Sequence, residues 1–404
     1  MADACTATVV DDPASLAAAI DAGAERISVR GAITGLPPLR LKPGQSLAGE
    51  KNGASLSFNT DGVVLSRDNR LERLELFSPP SKRAIMVAVD AASCGTMILC
   101  DLACHGLVQL VFSEHAGDVA LRIARLEVTM ADATQCLPRP TGNGVEVQQG
   151  ALTIWNRSPA TTVVTIDAQG IVIGSAEAPV GGTGLFVAGQ GDAGGGKVCL
   201  HRFHTGSVHS DSRLPEGTTH IVAGGMFFFN GVEGDVLTHG DIITHGPNAV
   251  PVDTWGTLGL WRIEGNARSH GPSAVGFVNA GQLGRCEITG VLETFGDGAR
   301  GCCIYGPTGS FSADSIRTHG RAAAGVQVVA SLERLELGTG IFTQGDAGEG
   351  LMKGQMVRTP AHGVEVEAGG ALGVLDCASI SVTGSEAEPI HAQGMVRQVA
   401  RPRF

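Results

Sequence analysis

The chain has 404 residues, of which 58 are glycine and only 4% are aromatic, and its formal net charge is −11. An apolar content of 43% is enough to bury a long core, which excludes an intrinsically disordered chain. The negative charge argues against nucleic acid and anionic membranes as partners, because phosphate groups bind to basic surfaces. No apolar run is long enough to cross a membrane, and the first residues lack the basic and apolar regions of a signal peptide.

Ten cysteines are scattered along the chain, without the spacing of a zinc site or of a disulfide framework. Free thiols are typical of a reducing compartment, so we expect a cytoplasmic protein. The neighbours Cys302 and Cys303 should point to opposite faces of a strand and form no disulfide. No motif for a cofactor is present, and none is predicted.

Near the N-terminus, residues 12–22 form the one clear amphipathic helix pattern, with Pro13 in its first turn and Gly23 just past its end. Such a helix would cover one end of a repetitive fold. We expect a single domain over 1–404. Its parts are an N-terminal cap and first strand at 1–35, a repeated body at 36–384, and a C-terminal cap at 385–404, where the repeat is lost.

The stretch 188–220 is predicted to be an irregular insertion in this body, because it is rich in glycine and histidine and does not follow the repeat. Histidine and aspartate at His204, His209 and Asp211 are suitable metal ligands, but their spacing matches no metal motif, so no metal is predicted. Two interpretations stay open: the stretch is the wall of a metal-free site, or it is an ordinary long turn.

An internal repeat begins near residue 242 and is the strongest pattern in the sequence. Gly246, Gly271, Gly296, Gly320 and Gly345 follow one another at intervals of 25, 25, 24 and 25 residues. Each repeat contains three short strand patterns and no segment long enough for a crossover helix. Parallel pairing without such a connection requires a chain that winds back onto itself. The sequence therefore predicts an all-β fold, a right-handed parallel β-helix with three short strands in each coil of about 25 residues.

The alternation of side chains along each strand assigns three rows to the faces of this fold. A row of hydroxyl side chains should point inward: Thr244, Ser269, Thr294, Thr318 and Thr343. One outward row should contain His245, His270, Phe295, His319 and Gln344. The neighbouring outward row should contain Ile243, Arg268, Glu293, Arg317 and Phe342.

The outward rows suggest acid–base chemistry. A histidine and a glutamate one repeat apart, such as His270 or His319 with Glu293, have the groups needed for general acid–base catalysis, and Arg317 could bind a substrate carboxylate. His204 and His209 are further catalytic candidates, with Asp211 as a binding residue. The competing interpretation is that these side chains are simply solvated and that the charges pair across strands.

A third candidate site is formed by aromatic residues at the turns. Trp255 and Tyr305 each follow a repeat glycine by nine residues, so they should occupy equivalent positions two repeats apart. Exposed rings on a polar surface are suited to stacking against a sugar ring. Asn279 and Arg300 lie on nearby turns or strands and would add polar contacts. Alternatively, Trp255 only packs over a turn.

The N-terminal sequence resembles the pectate-lyase-like superfamily. The resemblance rests on residues 12–20 followed by Ile27-Ser28-Val29-Arg30-Gly31-Ala32-Ile33, and on the phrase at 68–74. It implies a parallel β-helix with an N-terminal capping helix and does not specify an activity. The polygalacturonase phrase "N-T-D-G" occurs at 59–62, but the paired aspartates of that family do not follow it. We interpret it as a turn, and classical pectin cleavage is disfavoured.

These patterns lead us to expect a carbohydrate-active enzyme that uses acid and base groups, as a lyase, an epimerase or a glycoside-cleaving enzyme. Its ligand would be a small molecule or an oligosaccharide, and it could form a dimer or a trimer. Two alternatives remain. One is a non-catalytic, adhesin-like binding or assembly module, and the other is a biosynthetic isomerase or cyclase that acts on a small molecule.

Overall fold

The structure is a computed structural model that describes residues 7–50, 53–89, 93–113, 117–191, 194–352 and 355–400. Within these residues it is an all-β protein with one helix, α1 (Pro13–Asp21), and long parallel sheets. This arrangement is compatible with a β-helix. The helix is not long enough or apolar enough to span a membrane.

The strands of the N-terminal half contribute to two parallel sheets. In chain order they are β1 (Thr8–Val10), β2 (Arg26–Val29), β3 (Ala32–Leu36), β4 (Leu39–Arg40), β5 (Ser46–Gly49), β6 (Ser55–Phe58), β7 (Val63–Leu65), β8 (Arg70–Phe77), β9 (Arg83–Val87), β10 (Thr96–His105), β11 (Leu107–Phe112), β12 (Val119–Met130), β13 (Thr141–Gly142), β14 (Val145–Val147), β15 (Gly150–Asn156), β16 (Val163–Ile173), β17 (Val180–Gly181), β18 (Thr183–Ala188) and β19 (Lys197–Asp211).

The strands of the C-terminal half follow the glycine repeat more closely. They are β20 (Ile221–Phe228), β21 (Val232–Thr238), β22 (Ile242–His245), β23 (Ala249–Thr254), β24 (Thr257–Ile263), β25 (Ala267–Ser269), β26 (Val275–Asn279), β27 (Gln282–Ile288), β28 (Val291–Thr294), β29 (Arg300–Ile304), β30 (Thr308–Thr318), β31 (Val326–Val328), β32 (Ser331–Thr343), β33 (Gly348–Met352), β34 (Gln355–Thr359), β35 (Val364–Val366), β36 (Ala371–Cys377), β37 (Ile380–Val382), β38 (Ile390–Ala392) and β39 (Met395–Ala400).

Two parallel sheets organise these strands. In the described residues the first sheet has 22 strands and the second has 15, while β33 and β34 form a separate antiparallel hairpin. The order of the second sheet includes β20, β23, β26, β29, β31, β35 and β38, so each strand pairs with its equivalent in the next repeat. The first sheet shows the same step in its pairs β22–β25 and β25–β28. The repeat predicted from the glycines is therefore the unit of strand pairing.

The repeat glycines are required by the close approach of neighbouring turns. A Cβ atom added at Gly271 would lie 1.7 Å from the carbonyl oxygen of Gly246, and one at Gly296 would lie 2.1 Å from that of Gly271. No side chain fits at such distances, so only glycine permits the turns to stack.

The core lies between the two sheets and is lined by aliphatic and aromatic side chains. The second sheet contributes rows such as Val252, Phe277 and Cys302, which are fully buried. Cys303 belongs to a separate apolar cluster with Val278, so the two neighbouring cysteines do point to opposite faces. All nine cysteines in the described residues are free thiols, and Cys5 lies outside those residues.

The predicted inward row of hydroxyl side chains is confirmed. Its members Thr244, Ser269, Thr294, Thr318 and Thr343 are at most 1% exposed. Each hydroxyl has a hydrogen-bond partner: Thr244 donates to the Ser269 hydroxyl at 3.0 Å, and Thr318 donates to the Ala323 carbonyl at 2.5 Å. Burial of these polar groups is therefore compensated, as it must be in an apolar core.

The predicted N-terminal helix is also confirmed. The Asp12 carboxylate accepts hydrogen bonds from the backbone N–H groups of Ala14 and Ser15 at 2.8 and 2.9 Å, which caps the first turn. Leu16 and Ile20 are buried in the core. The helix thus covers the first strands of the fold.

One expectation about the body of the chain is wrong in part. The middle of the stretch 188–220 is not an irregular insertion, because β19 runs through Lys197–Asp211 and pairs with β16, β21 and β22. In β19, buried apolar side chains such as Val198, Leu200 and Val208 sustain the strand although the 25-residue spacing is lost.

The segment 385–404 stays a predicted C-terminal cap: in its described part, β38 and β39 pair with β35 and β36 at the end of the two sheets. Residues 401–404 lie outside the described residues.

Candidate functional site

The predicted outward row is confirmed, and its rings form a stack on the first sheet. The rings of His245 and His270 have centroids 5.0 Å apart, those of His270 and Phe295 are 4.6 Å apart, and those of Phe295 and His319 are 4.8 Å apart. Successive planes differ by at most 14°. His270 and Phe295 are exposed. The rings stacked on either side still enclose part of the His270 imidazole, and this partial burial lowers its pKa, with the charges of His245 and Arg268 adding to the effect.

Glu293 connects this row to its neighbour. Its Oε1 atom lies 2.9 Å from Nε2 of His319, and its Oε2 atom accepts a hydrogen bond from Nε of Arg268 at 3.1 Å. The Glu293 side chain is only 14% exposed. The structure therefore brings together two of the five predicted catalytic residues, Glu293 and His319, with Arg268 beside them.

Arg317 lies in the same row as Glu293 but points away from this cluster. It is exposed, its guanidinium lies 5.4 Å from the ring centroid of Phe342, and its Nε atom donates to the Ser315 hydroxyl at 3.3 Å. These contacts hold the guanidinium along the surface of the sheet.

Strand β19 extends both outward rows by one position. His209 pairs with Ile243 and Asp211 pairs with His245, so these residues belong to the same surface as His270 and Glu293. His209 is only 8% exposed, and burial lowers its pKa. The Asp211 carboxylate accepts a hydrogen bond from the backbone N–H of Arg213 at 3.0 Å. The outward rows of the repeat and the pair His209 and Asp211, which the sequence analysis treated as separate sites, therefore form one surface.

His204 lies on another part of β19. Its ring centroid is 5.8 Å from that of His239, and burial, followed by the charge of His239, lowers its pKa. The described residues contain no group of three or more histidine, cysteine, aspartate or glutamate side chains arranged to hold a metal ion.

The outer face of the second sheet is largely covered, which the sequence did not predict. The segment 141–147, named the strap here, lies across its middle: Val147 packs with Phe186, Phe227 and Trp255, and β14 pairs with β20. Gly142 of the strap is so close to Trp255 that a Cβ atom would lie 2.4 Å from the indole ring. Trp255 is consequently only 8% exposed.

Beside the strap, Trp255 and Tyr305 line one cavity of about 430 Å³. Most of its other walls are polar or consist of backbone: Gly142, Asn143, Asn230, Gly256, Thr257, Ala280, Gly281, Gln282, Gly306 and Pro307. Burial raises the pKa of the Tyr305 hydroxyl to about 12, so this group stays protonated at neutral pH. The cavity therefore offers two aromatic rings together with amide and hydroxyl groups.

Arg300 and Asn279 take structural positions behind this cavity. Arg300 is 8% exposed, and its Nη1 atom donates to the Tyr305 hydroxyl at 2.9 Å and to Oε1 of Gln327 at 2.6 Å. The Asn279 amide is fully buried and donates to the backbone of Gly306 and Pro307. Both were predicted to bind substrate; in this structure Arg300 orients Tyr305, and Asn279 holds the adjacent turn.

Asp253 is the residue that sequence reasoning missed. It is 2% exposed, lies between Phe227 and Val278 on the outer face, and has an Oδ1 atom without a hydrogen-bond partner. Burial raises its pKa well above the usual range, and the nearby indole of Trp255 only partly counteracts this. The signal was available, since an aspartate interrupts the otherwise uncharged, fully buried strand Ala249–Thr254.

No family model, no curated protein and no solved structure matches this chain.

Proposed function

We propose that the chain acts on carbohydrate and that the cavity of Trp255 and Tyr305 holds a sugar ring. The observation that carries this proposal is the composition of the cavity, in which two aromatic rings lie among amide, hydroxyl and backbone groups. Aromatic rings pack against the C–H faces of a pyranose, while amides hydrogen-bond its hydroxyls. A volume of about 430 Å³ is sufficient for a small saccharide.

Binding of saccharides by the full-length chain tests this proposal. A panel that contains neutral hexoses, uronic acids and short oligomers would be screened by calorimetry. Trp255→Phe should weaken the binding of a panel member about three- to tenfold, because a smaller ring stacks less well. Phe295→Ala removes an exposed ring on the other sheet and serves as the control. Absence of binding across the panel, or equal effects of the two substitutions, would contradict the proposal.

Acid–base catalysis at the outward rows is a second candidate function, favoured by the Glu293–His319 contact. In a lyase, an epimerase or a glycoside-cleaving enzyme, one of these groups would remove a proton and the other would donate one, while Arg268 would stabilise negative charge. Once turnover of a saccharide is found, Glu293→Gln and His319→Asn should each reduce kcat about 100-fold. Saccharide binding without turnover would instead favour a non-catalytic binding module, and turnover of monomeric sugars alone would favour a biosynthetic isomerase.

The architecture proposed for this function is a right-handed parallel β-helix of the pectate-lyase-like type. The coil-to-coil register of both sheets and the capping helix support it. An experimental structure would test the handedness, and a left-handed course of the chain would contradict the assignment.

We also propose that the protein resides in the cytoplasm and that it forms a dimer or a trimer. The free thiols support the former: a titration of denatured, unreduced protein should detect ten thiols, one for each cysteine. A clearly lower number would indicate an oxidising compartment. Sedimentation equilibrium would show whether the chain is a monomer, a dimer or a trimer.

A further inference from the structure

A second cavity, of about 440 Å³, lies on the outer face of the second sheet at its N-terminal end. Its floor is formed by side chains of β9, β11 and β15, including Met86, Val111 and Trp155, and residues 135–138 form one wall. Gln149 fastens this wall, because its Nε2 atom donates to the Pro138 carbonyl at 2.8 Å. The cavity is separate from that of Trp255 and Tyr305 and shares no lining residue with it.

Arg157 places a positive charge in this cavity. Its guanidinium carbon lies 4.8 Å from the ring centroid of Trp155, a cation–π contact that fixes the orientation of the planar group. The other arginine of the cavity, Arg83, is neutralised by Asp61 at 3.0 Å. Arg157 has no carboxylate within salt-bridge distance in the described part of the chain. One cation is thus available to a ligand, in a chain whose net charge is −11.

The rim of the cavity is apolar and exposed. Val89 and Leu137 are 73% and 76% exposed, the two highest values among the large hydrophobic side chains that the structure describes, and both line this cavity. Exposed apolar side chains grouped around a cavity are typical of a binding site whose ligand covers them. The ligand should therefore have an apolar body in addition to a negative charge.

We propose that this cavity binds a small organic carboxylate with an apolar body. The carboxylate pairs with the guanidinium of Arg157, whose fork of N–H donors matches the two carboxylate oxygens. The apolar body lies against Met86, Val111 and Leu137. The cavity volume is in the range of small-molecule sites, about 300–1,000 Å³. A single available cation makes a monoanion the preferred ligand.

Calorimetry with 3-phenylpropionate and its neutral isostere 3-phenylpropionamide tests the proposal on the full chain. The carboxylate should bind about tenfold or more tightly than the amide, because only the carboxylate makes a charged hydrogen bond with the guanidinium of Arg157. Arg157→Gln should remove this difference. Arg334→Gln, at an arginine exposed on the first sheet, is the matched control and should leave it intact.

Further measurements separate the possible outcomes. Leu137→Ser should weaken the binding of 3-phenylpropionate several-fold without altering the preference for the carboxylate. Trp255→Phe should have no effect, so failure of the carbohydrate proposal would not affect this one. Equal affinity for the carboxylate and the amide, retention of the preference in Arg157→Gln with an unchanged melting temperature, or no binding of either probe would each overturn the proposal.

Discussion

The Oε1 atom of Glu293 lies 2.9 Å from Nε2 of His319, although the two residues are a full repeat apart in the sequence. The contact exists because β28 pairs with β30 so that Glu293 lies opposite Arg317, and His319 follows Arg317 by two positions on the same outward face. On the other side of the ring, Nδ1 of His319 lies 2.8 Å from Oε1 of Gln344, in the next repeat. A chain of polar contacts thus crosses three repeats.

Replacement of Glu293 by alanine should destabilise the protein by about 1–2 kcal/mol. The substitution leaves the half-buried Arg268 and His319 without their shared carboxylate. The control is Glu336→Ala, which breaks an ion pair with Arg334 whose partners are 47% and 48% exposed and should cost less than about 0.5 kcal/mol. Chemical denaturation would measure both, and equal losses would mean that the Glu293 contacts do not stabilise the fold.

Replacement of Thr318 by valine should also destabilise the fold, by about 1–2 kcal/mol. Valine fits the space, but the Ala323 carbonyl then loses the hydrogen bond from the buried hydroxyl. Thr339→Val provides the comparison, because Thr339 is exposed and donates to the exposed side chain of Asp314. We expect a change below about 0.5 kcal/mol there. If the two variants unfold at the same denaturant concentration, the inward hydroxyls contribute nothing specific.

Replacement of Gly296 by alanine should prevent normal folding or cost at least about 3 kcal/mol. The new Cβ atom would lie 2.1 Å from the Gly271 carbonyl oxygen, and this obstacle is backbone that cannot move without shifting a whole turn. At Gly338 the nearest atom is a side-chain oxygen of Asp314 at 3.3 Å, so Gly338→Ala should be tolerated. Circular dichroism and thermal melting would compare the two. A fully folded, stable Gly296→Ala variant would disprove the packing of the turns.

Replacement of Asp253 by asparagine should change how stability depends on pH. Burial raises the folded-state pKa of Asp253 above its unfolded value, so the folded protein retains a proton that the unfolded chain releases. The stability that this group contributes is full below the unfolded pKa of about 3.9 and is lost as the pH rises toward the folded pKa. Relative to the natural chain, Asp253→Asn should therefore become progressively more stable as the pH rises above about 4. A pH-independent difference between the two proteins in urea denaturation would show that Asp253 is not buried as an acid.

The faces of the repeated strands were predictable from the residues, because side chains alternate between inward and outward along the equivalent strand of every repeat. Thr294 and Thr318 are buried and Phe295 is exposed, as the alternation along a strand requires. The position of β19 was not predictable, because its rows were hidden by the loss of the 25-residue spacing. Only the pairing of His209 with Ile243 shows that this histidine extends the same surface.

The repeat, the inward and outward rows and the capping helix could be predicted from the residues alone, because each of these depends on neighbours along the chain or on a constant step between equivalent positions. The tertiary structure alone decided which outward residues meet solvent. Trp255 is covered by Gly142, Arg300 donates to the Leu351 carbonyl of the β33–β34 hairpin, and Asp253 is buried between neighbouring strands. These contacts join segments that are not separated by a regular number of residues. Burial on the outer face therefore depends on tertiary packing, which local sequence patterns do not predict. The same packing sets the position of both cavities.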